Sequence, residues 1–336
     1  ASCLGKTTFI RTIISSLVLT HSPDDLHIYI LDFGGRALNV FLDLPHVGAI
    51  ITSEEEERVM RVLRKVNDII EYRQVLFSEE RVNNLETHNH NYPDKKLPAI
   101  LVVIDNFAEF REYYEDLMGP LISLVREARA YGVHFLITAD VVNALTGKLF
   151  NLITERYTLK LSDASEYGDI VGRGVPADLS NVPGRGYVRV GNMPLEFQTA
   201  LSFNPDENDA DNLAKLNKMC LRMRDLWNNN WKGEKPSTIE TLQLRISLER
   251  LMQEVTWPES KRLNILMGID DRTLEPAFID IERQGPHVVV LGQPFSGKTT
   301  TLQTMIISLA MQYNPDTLGM VLIDYSNKLW KGNEHS

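Results

Sequence analysis

A chain of 336 residues is long enough for about two domains that each bury a core without disulfides. Hydrophobic residues at 43 % against 24 % charged describe an ordinary globular protein, and no apolar run approaches the ~20 residues of a membrane span. A formal charge of −10 argues against a dedicated nucleic-acid surface, because duplex binding rests on basic patches that release counterions.

Cys3 and Cys220 make no disulfide framework and fit a reducing cytoplasm. The chain opens on Ala1-Ser-Cys with neither Met nor a basic-then-apolar leader, as expected of a processed chain or a piece of a longer one. The first predicted element is a helix from Thr7 to about Thr20, with Ile10, Ile13, Ile14, Leu17 and Val18 at helical spacing. Its opening, Gly5-Lys6-Thr7-Thr8, lines up with Gly297-Lys298-Thr299-Thr300 late in the chain, where the pattern is longer: Gly292-Gln-Pro-Phe-Ser-Gly297-Lys298-Thr299-Thr300. That late stretch follows the apolar run His287-Val-Val-Val-Leu291, predicted as a buried strand, and precedes a helix-like segment from Thr301 to Tyr313. Strand, glycine-rich turn and helix together make a phosphate-binding P-loop. Successive backbone N–H groups converge on the phosphates, Lys298 adds charge, and the Thr299 hydroxyl completes a Mg²⁺ shell. The similarity continues beyond the helix, since His27-Ile-Tyr-Ile-Leu-Asp32-Phe-Gly answers Gly319-Met-Val-Leu-Ile-Asp324-Tyr-Ser. This is a tandem duplication at domain scale, and by its rule the first glycine of the earlier P-loop falls one position before Ala1.

Leu26 to Leu31 reads as a strand, and Asp32 and Arg36 in the turn after it are most simply turn chemistry. Val47 to Ile51 is a short strand. Ser53-Glu-Glu-Glu56 then resembles a capping box opening a long charged helix to about Phe77. Asn83 to Lys96 is predicted as a loop, in which His88 and His90 lack the partners of a metal site. The continuous apolar run Leu97 to Ile104 ends in Asp105. A rigid buried strand that holds an acid beside phosphates is what a Mg²⁺-supporting carboxylate needs, so this is a Walker B strand, with Asp105 and Thr7 on the metal side of the first copy. The next position is Asn106 rather than the glutamate that would deprotonate an attacking water. An amide is no base at neutral pH, so the first module is expected to bind nucleotide better than it hydrolyses it.

A helix from Pro120 to Tyr131 precedes the strand Gly132 to Ile137, and Thr138 follows where a sensor of the γ-phosphate would sit, the alternative being an ordinary strand-end threonine. Ile153 to Leu161 is a further strand. Arg156, Arg173 and Arg185 are the arginines with which one subunit could clamp a neighbour's phosphate, and sequence does not choose among them. Asn204 to Asp211 is an acidic boundary, Asn212 to Trp231 a helix, Gly233 to Pro236 a linker, and Thr238 to Glu254 an apolar lead-in. Leu263 to Asp270 and Ala277 to Asp280 are predicted strands of the next module.

In sum, the P-loop, Leu31-Asp-Phe-Gly-Gly-Arg36, Asp43-Leu-Pro-His-Val-Gly48, Ile104-Asp-Asn106-Phe, Arg126-Glu-Ala-Arg129-Ala-Tyr-Gly-Val-His134 and Gly184-Arg-Gly-Tyr187 resemble the FtsK/SpoIIIE-type motor ATPases. Within them the tandem copies are most similar to the EccC/EssC ATPase of type VII secretion systems. The chain departs from the active pattern at Asn106 and at Asp140, where DNA translocases typically carry glutamine. The resemblance implies three-layer α/β P-loop domains in tandem: residues 1–203, a helical linker region 204–259, and the first part of another domain, 260–336. It also implies ATP and Mg²⁺ as ligands and secreted polypeptides or their targeting signals, with other secretion subunits, as partners. Nucleic acid is not expected as a partner. A homohexamer at the cytoplasmic face of a membrane, anchored by regions outside this stretch, completes the expectation. The alternatives are a DNA translocase and a non-hydrolysing nucleotide-binding scaffold.

Overall fold

The computed structural model describes residues 5–163, 165–172, 174–175, 182–191, 193–203, 208–230, 233, 235–243, 245–257, 263–271, 273–284, 287–325 and 329. Contacts divide the chain into two units, 1–239 and 240–336.

In the first unit α1 (Lys6–Thr20) leads to β1 (Leu26–Asp32) and β2 (Val47–Ile51); α2 (Glu56–Glu80) and α3 (Leu85–Asn91) lead to β3 (Ala99–Asp105). Then come α4 (Phe107–Tyr113), α5 (Met118–Glu127) and β4 (Val133–Ile137), closing a parallel sheet of order β2-β1-β3-β4. Helices on both faces require strands that are apolar on both sides, and β1 is buried at every residue. Its side chains alternate between two cores. Ile28 and Ile30 join Leu101 and Val103 of β3 beneath Ile10, Ile14 and Val18 of α1. Tyr29 and Leu31 join Ile100, Val102 and Ile104 beneath Val59, Val62 and Val66 of α2 and Leu121 of α5. The result is the three-layer α/β arrangement expected from sequence.

After α6 (Gly147–Leu152), β5 (Tyr157–Leu159) and α7 (Glu166–Val171), strands β6 (Arg185–Val190) and β7 (Met193–Gln198) form an antiparallel sheet with β5. Phe9 of α1 ties this sheet in, its ring 5.4 Å from Tyr157 and 5.9 Å from Phe197. Helix α8 (Asp209–Asn230) packs onto the first unit rather than standing apart, with Leu216 and Cys220 in the core beside Ile10 and Ile14. Arg224 reinforces it with a 2.6 Å hydrogen bond to Asp43.

The second unit holds α9 (Leu248–Glu254), β8 (Asn264–Ile269) antiparallel to β9 (Pro276–Asp280), α10 (Ile281–Gln284) and α11 (Lys298–Gln312). Ser308 of α11 is fully buried, and its hydroxyl oxygen accepts the Leu266 N–H at 3.0 Å.

Several local expectations change. The runs His287–Leu291 and 319–323 are not strands, and Val289, Leu291, Val321 and Ile323 are exposed. An apolar run becomes a strand only where neighbours pair with its backbone, and among the described residues none pairs with these. The stretch 83–96 is not a plain loop. Asn84 caps α3 by accepting the Thr87 N–H at 2.8 Å, and His88 is buried, bonded to Glu80 at 2.7 Å and stacked on Phe77. Ser53 does not cap α2. The Glu55 carboxylate instead accepts the Thr52 N–H at 2.8 Å, so the turn closes one residue earlier. Ala1 to Leu4, Arg173, residues 204–207 and Ser260 lie outside the described residues.

Asp25 locks the entry to β1. Burial alone would raise its pKa, but Lys96 and the Ser22 hydroxyl and N–H more than reverse this and hold it at about 2, against an ordinary 3.8. A depressed carboxylate adds stability above its unfolded pKa, and that stability fades as pH falls from 3.8 towards 2. With its side chain a quarter exposed, the discounted contribution is about 1 kcal/mol. Asp25→Asn is therefore expected to lower urea-unfolding stability by about 1 kcal/mol at pH 7 and by much less near pH 2.

Candidate functional site

Gly5 precedes α1 with φ 94° and ψ 1°, and Gly297 precedes α11 with φ 93° and ψ 7°. Left-handed backbone at these angles favours glycine, and a Cβ on Gly5 would also lie 3.2 Å from the Gly184 nitrogen. Each glycine makes a lysine the first residue of a 15-residue helix whose N-terminus has no side-chain cap. Uncapped first-turn N–H groups and the helix dipole favour an anion there. The lysines differ. Lys298 donates to the carbonyls of Gly292 and Gln293 at 2.8 and 2.6 Å, folding back on its own loop. Lys6 donates to the Asp140 carboxylate.

The register of β1 and β3 sets Asp32 beside Asp105 at the carboxyl ends of two buried strands. Asp105 is 3 % exposed, and its Oδ1 accepts the Thr138 hydroxyl at 2.5 Å. The Asn106 N–H in turn donates to the Thr138 oxygen at 3.0 Å. Burial, then the Asp32 charge, pushes the Asp105 carboxyl above its ordinary pKa, while Thr138, Lys6 and the Asn106 N–H pull it down. Asp32, 1 % exposed, accepts the Leu38 N–H at 2.8 Å and the Gly34 N–H at 3.2 Å. These are the turn contacts expected of it. Asp324 repeats them in the second unit by accepting the Leu329 N–H at 2.7 Å.

Asn106 takes φ 61°, a left-handed conformation that asparagine tolerates. Its amide donates to Glu109 Oε2 at 2.9 Å and to the Phe33 carbonyl at 3.3 Å. Glu109, in the first turn of α4, is thereby tied to the amide.

Arg156 and Arg185 are engaged within their own domain. Arg156 donates to the carbonyls of Ile153 and Phe150 at 3.0 and 2.8 Å and lies over the Phe150 ring. Arg185 bonds Glu196 at 2.7 Å and Gln198 at 2.9 Å. A cavity of about 390 Å³ opens beside Lys6 and Asp140, lined from β4 by Phe135 and Ile137 and from β5 by Tyr157.

Lys6, Thr138, Asp105 and Asn106, which sequence singled out, thus meet at one end of the parallel sheet. Thr7 and Thr8 occupy the first turn of α1, as Thr299 and Thr300 do in α11. The donors suit a magnesium–nucleotide complex: helix N–H groups and a lysine for phosphate, and hard oxygens for the ion, from the Thr7 hydroxyl and the Asp105 carboxylate.

The sequence profile of the FtsK/SpoIIIE family matches residues 1–185 and 248–330. This chain belongs to the FtsK/SpoIIIE family. The two matched stretches contain the two copies of the glycine–lysine–threonine turn, so the internal duplication coincides with two FtsK/SpoIIIE segments. Among curated relatives, the ESX secretion system protein EccC of Geobacillus thermodenitrificans is 27 % identical over 332 residues, covering 96 % of this chain and 22 % of the relative. EccC of Thermomonospora curvata is 28 % identical over 335 residues, covering 97 % of this chain and 24 % of the relative. The chain therefore spans less than a quarter of their length. Among solved structures, EssC (ATPases 2 and 3) from Geobacillus thermodenitrificans superposes with a TM-score of 0.81 at 27 % identity, covering 93 % of this chain and 58 % of that one. Thermomonospora curvata EccC (ATPases 2 and 3) in complex with a signal sequence peptide gives 0.71 at 27 %, covering 97 % and 58 %.

Gly34 is the site residue that sequence reasoning passed over, although a glycine two residues after a strand-end aspartate was a visible signal. A Cβ there would lie 2.4 Å from Asp105 Oδ2. Gly34→Ala must displace that carboxylate, and the expected result is Mg²⁺-dependent nucleotide binding at the first site weakened about tenfold. Binding measured in EDTA is expected to stay unchanged, and paired titrations with a fluorescent nucleotide check both.

Proposed function

We propose that this chain is a nucleotide-binding portion of a type VII secretion motor, whose first site holds ATP with Mg²⁺ and turns it over slowly. The observation that carries the reading is the pairing of a left-handed Gly5 and an uncapped helix start at Lys6 with an amide at Asn106. Lys6 and the N–H groups opening α1 bind the phosphates. Thr7 and Asp105 hold the ion, which when bound neutralises phosphate charge and polarises the phosphoryl group. The Thr138 hydroxyl keeps Asp105 oriented. At the place where a glutamate would take the proton of an attacking water, the Asn106 amide can only orient, and it is spent on Glu109 and Phe33. A first site of this kind stabilises a nucleotide-bound conformation more than it drives cycles of hydrolysis.

The secretion reading is supported by relatives described as ESX and type VII secretion proteins, one solved with a signal sequence peptide. The polypeptide class that fits is therefore a secreted protein's targeting segment. Assembly as a homohexamer on the cytoplasmic face of a membrane, with anchoring by regions outside this stretch, belongs to the same reading. No helix of the described residues is long and apolar enough to cross a membrane. The −10 charge weighs against the DNA-translocase alternative.

General-base catalysis contributes about 10²–10⁴ in rate, and ATPases turning over at about 1–100 per second set the scale. The expected outcome is a turnover below about 0.1 per second for the chain carrying Lys298→Ala. Nucleotide binding in that background should be abolished by the further change Lys6→Ala. Turnover of several per second that survives Lys6→Ala would refute the proposal.

A further inference from the structure

The acid that holds Lys6 comes from 134 residues away and has no part in forming the cradle. Asp140 follows β4 two residues after Thr138, whose hydroxyl rests on Asp105. Lys6 therefore serves two carboxylates at the start of α1, pairing with Asp140 and lowering the charge cost at Asp105, which also feels Asp32. In the second unit Lys298 donates to carbonyls of its own loop. The Asp140 side chain is 54 % exposed and that of Lys6 28 %, so the pair opens towards solvent, where an entering anion can replace it.

We propose that Asp140 is an internal competitor for the phosphate seat at the start of α1. The inference rests on the nucleotide-binding reading and deepens it. The Asp140 carboxylate and a phosphate compete for the same Lys6 ammonium, so phosphate must displace the acid. Once displaced, Asp140 remains near the polyphosphate and repels it, and the repulsion grows with phosphate charge. The first site is thereby tuned towards diphosphate over triphosphate, which sets a threshold of triphosphate concentration for its occupancy. Asparagine keeps the shape of the side chain and a hydrogen-bonding oxygen but removes the charge, whereas glutamate keeps the charge.

The test uses the full chain with Lys298→Ala, so that the first site is read alone, and fluorescent ADP and a non-hydrolysable fluorescent ATP analogue as probes. An exposed ion pair is worth up to about fivefold in an equilibrium constant. Asp140→Asn is expected to tighten the ATP analogue about three- to fivefold and ADP less, with the gain shrinking as salt rises. Asp140→Glu should match the parent in both affinity and ADP preference. Equal or weaker binding of the analogue by Asp140→Asn, with Lys6→Ala still abolishing binding, overturns the inference. Binding that survives Lys6→Ala overturns instead the nucleotide-site reading on which it rests.

Discussion

Two buried parallel strands that end in aspartate at the same level are the constraint on which the rest of the first unit depends. The one-to-one register from Leu26↔Ala99 to Asp32↔Asp105 brings two carboxylates together where no water can spread their charge. Each must then be satisfied locally. Asp32 draws the turn after β1 inward through the Leu38 and Gly34 N–H groups, and Asp105 draws in Thr138 from β4. The turn that satisfies Asp32 brings Gly34 against Asp105, and only a residue without a Cβ fits. Strand register, turn conformation and glycine identity at this end of the sheet are consequences of a single electrostatic requirement.

The cradle is formed at much lower cost in specificity. A left-handed glycine followed by lysine and threonines opens α1 and α11 with nearly the same backbone angles, although the two helices differ in most other residues. Geometry of this kind is local, set by glycine's freedom and the helix that follows. What the two lysines touch is not local. One meets its own loop and the other an acid brought by a distant strand, so two copies of one motif carry different electrostatics.

On the proposed reading, turnover at the first site is limited by the chemistry of one side chain rather than by its position. Asn106 stands at the end of the correct strand, in contact with Thr138, and its left-handed backbone aims the amide at Glu109 and Phe33. An amide in that position lacks a basic lone pair at neutral pH.

The amino-acid sequence by itself determined the parallel strands, the two glycine–lysine–threonine turns, the strand end at Asp105 with an amide rather than a carboxylate after it, and the family. These rest on continuous apolar runs and on motifs whose residues are neighbours in the chain. Tertiary structure alone decided that the apolar runs at 287–291 and 319–323 find no strand partner among the described residues, because a strand exists only with a partner. It decided that His88 is buried against Phe77, that α8 belongs to the first unit, and that Arg156 is held by Phe150 and Ile153. It also decided the contacts of Gly34 with Asp105 and of Asp140 with Lys6. Each of these joins residues far apart along the chain, and only the packing of strands and helices brings them within reach.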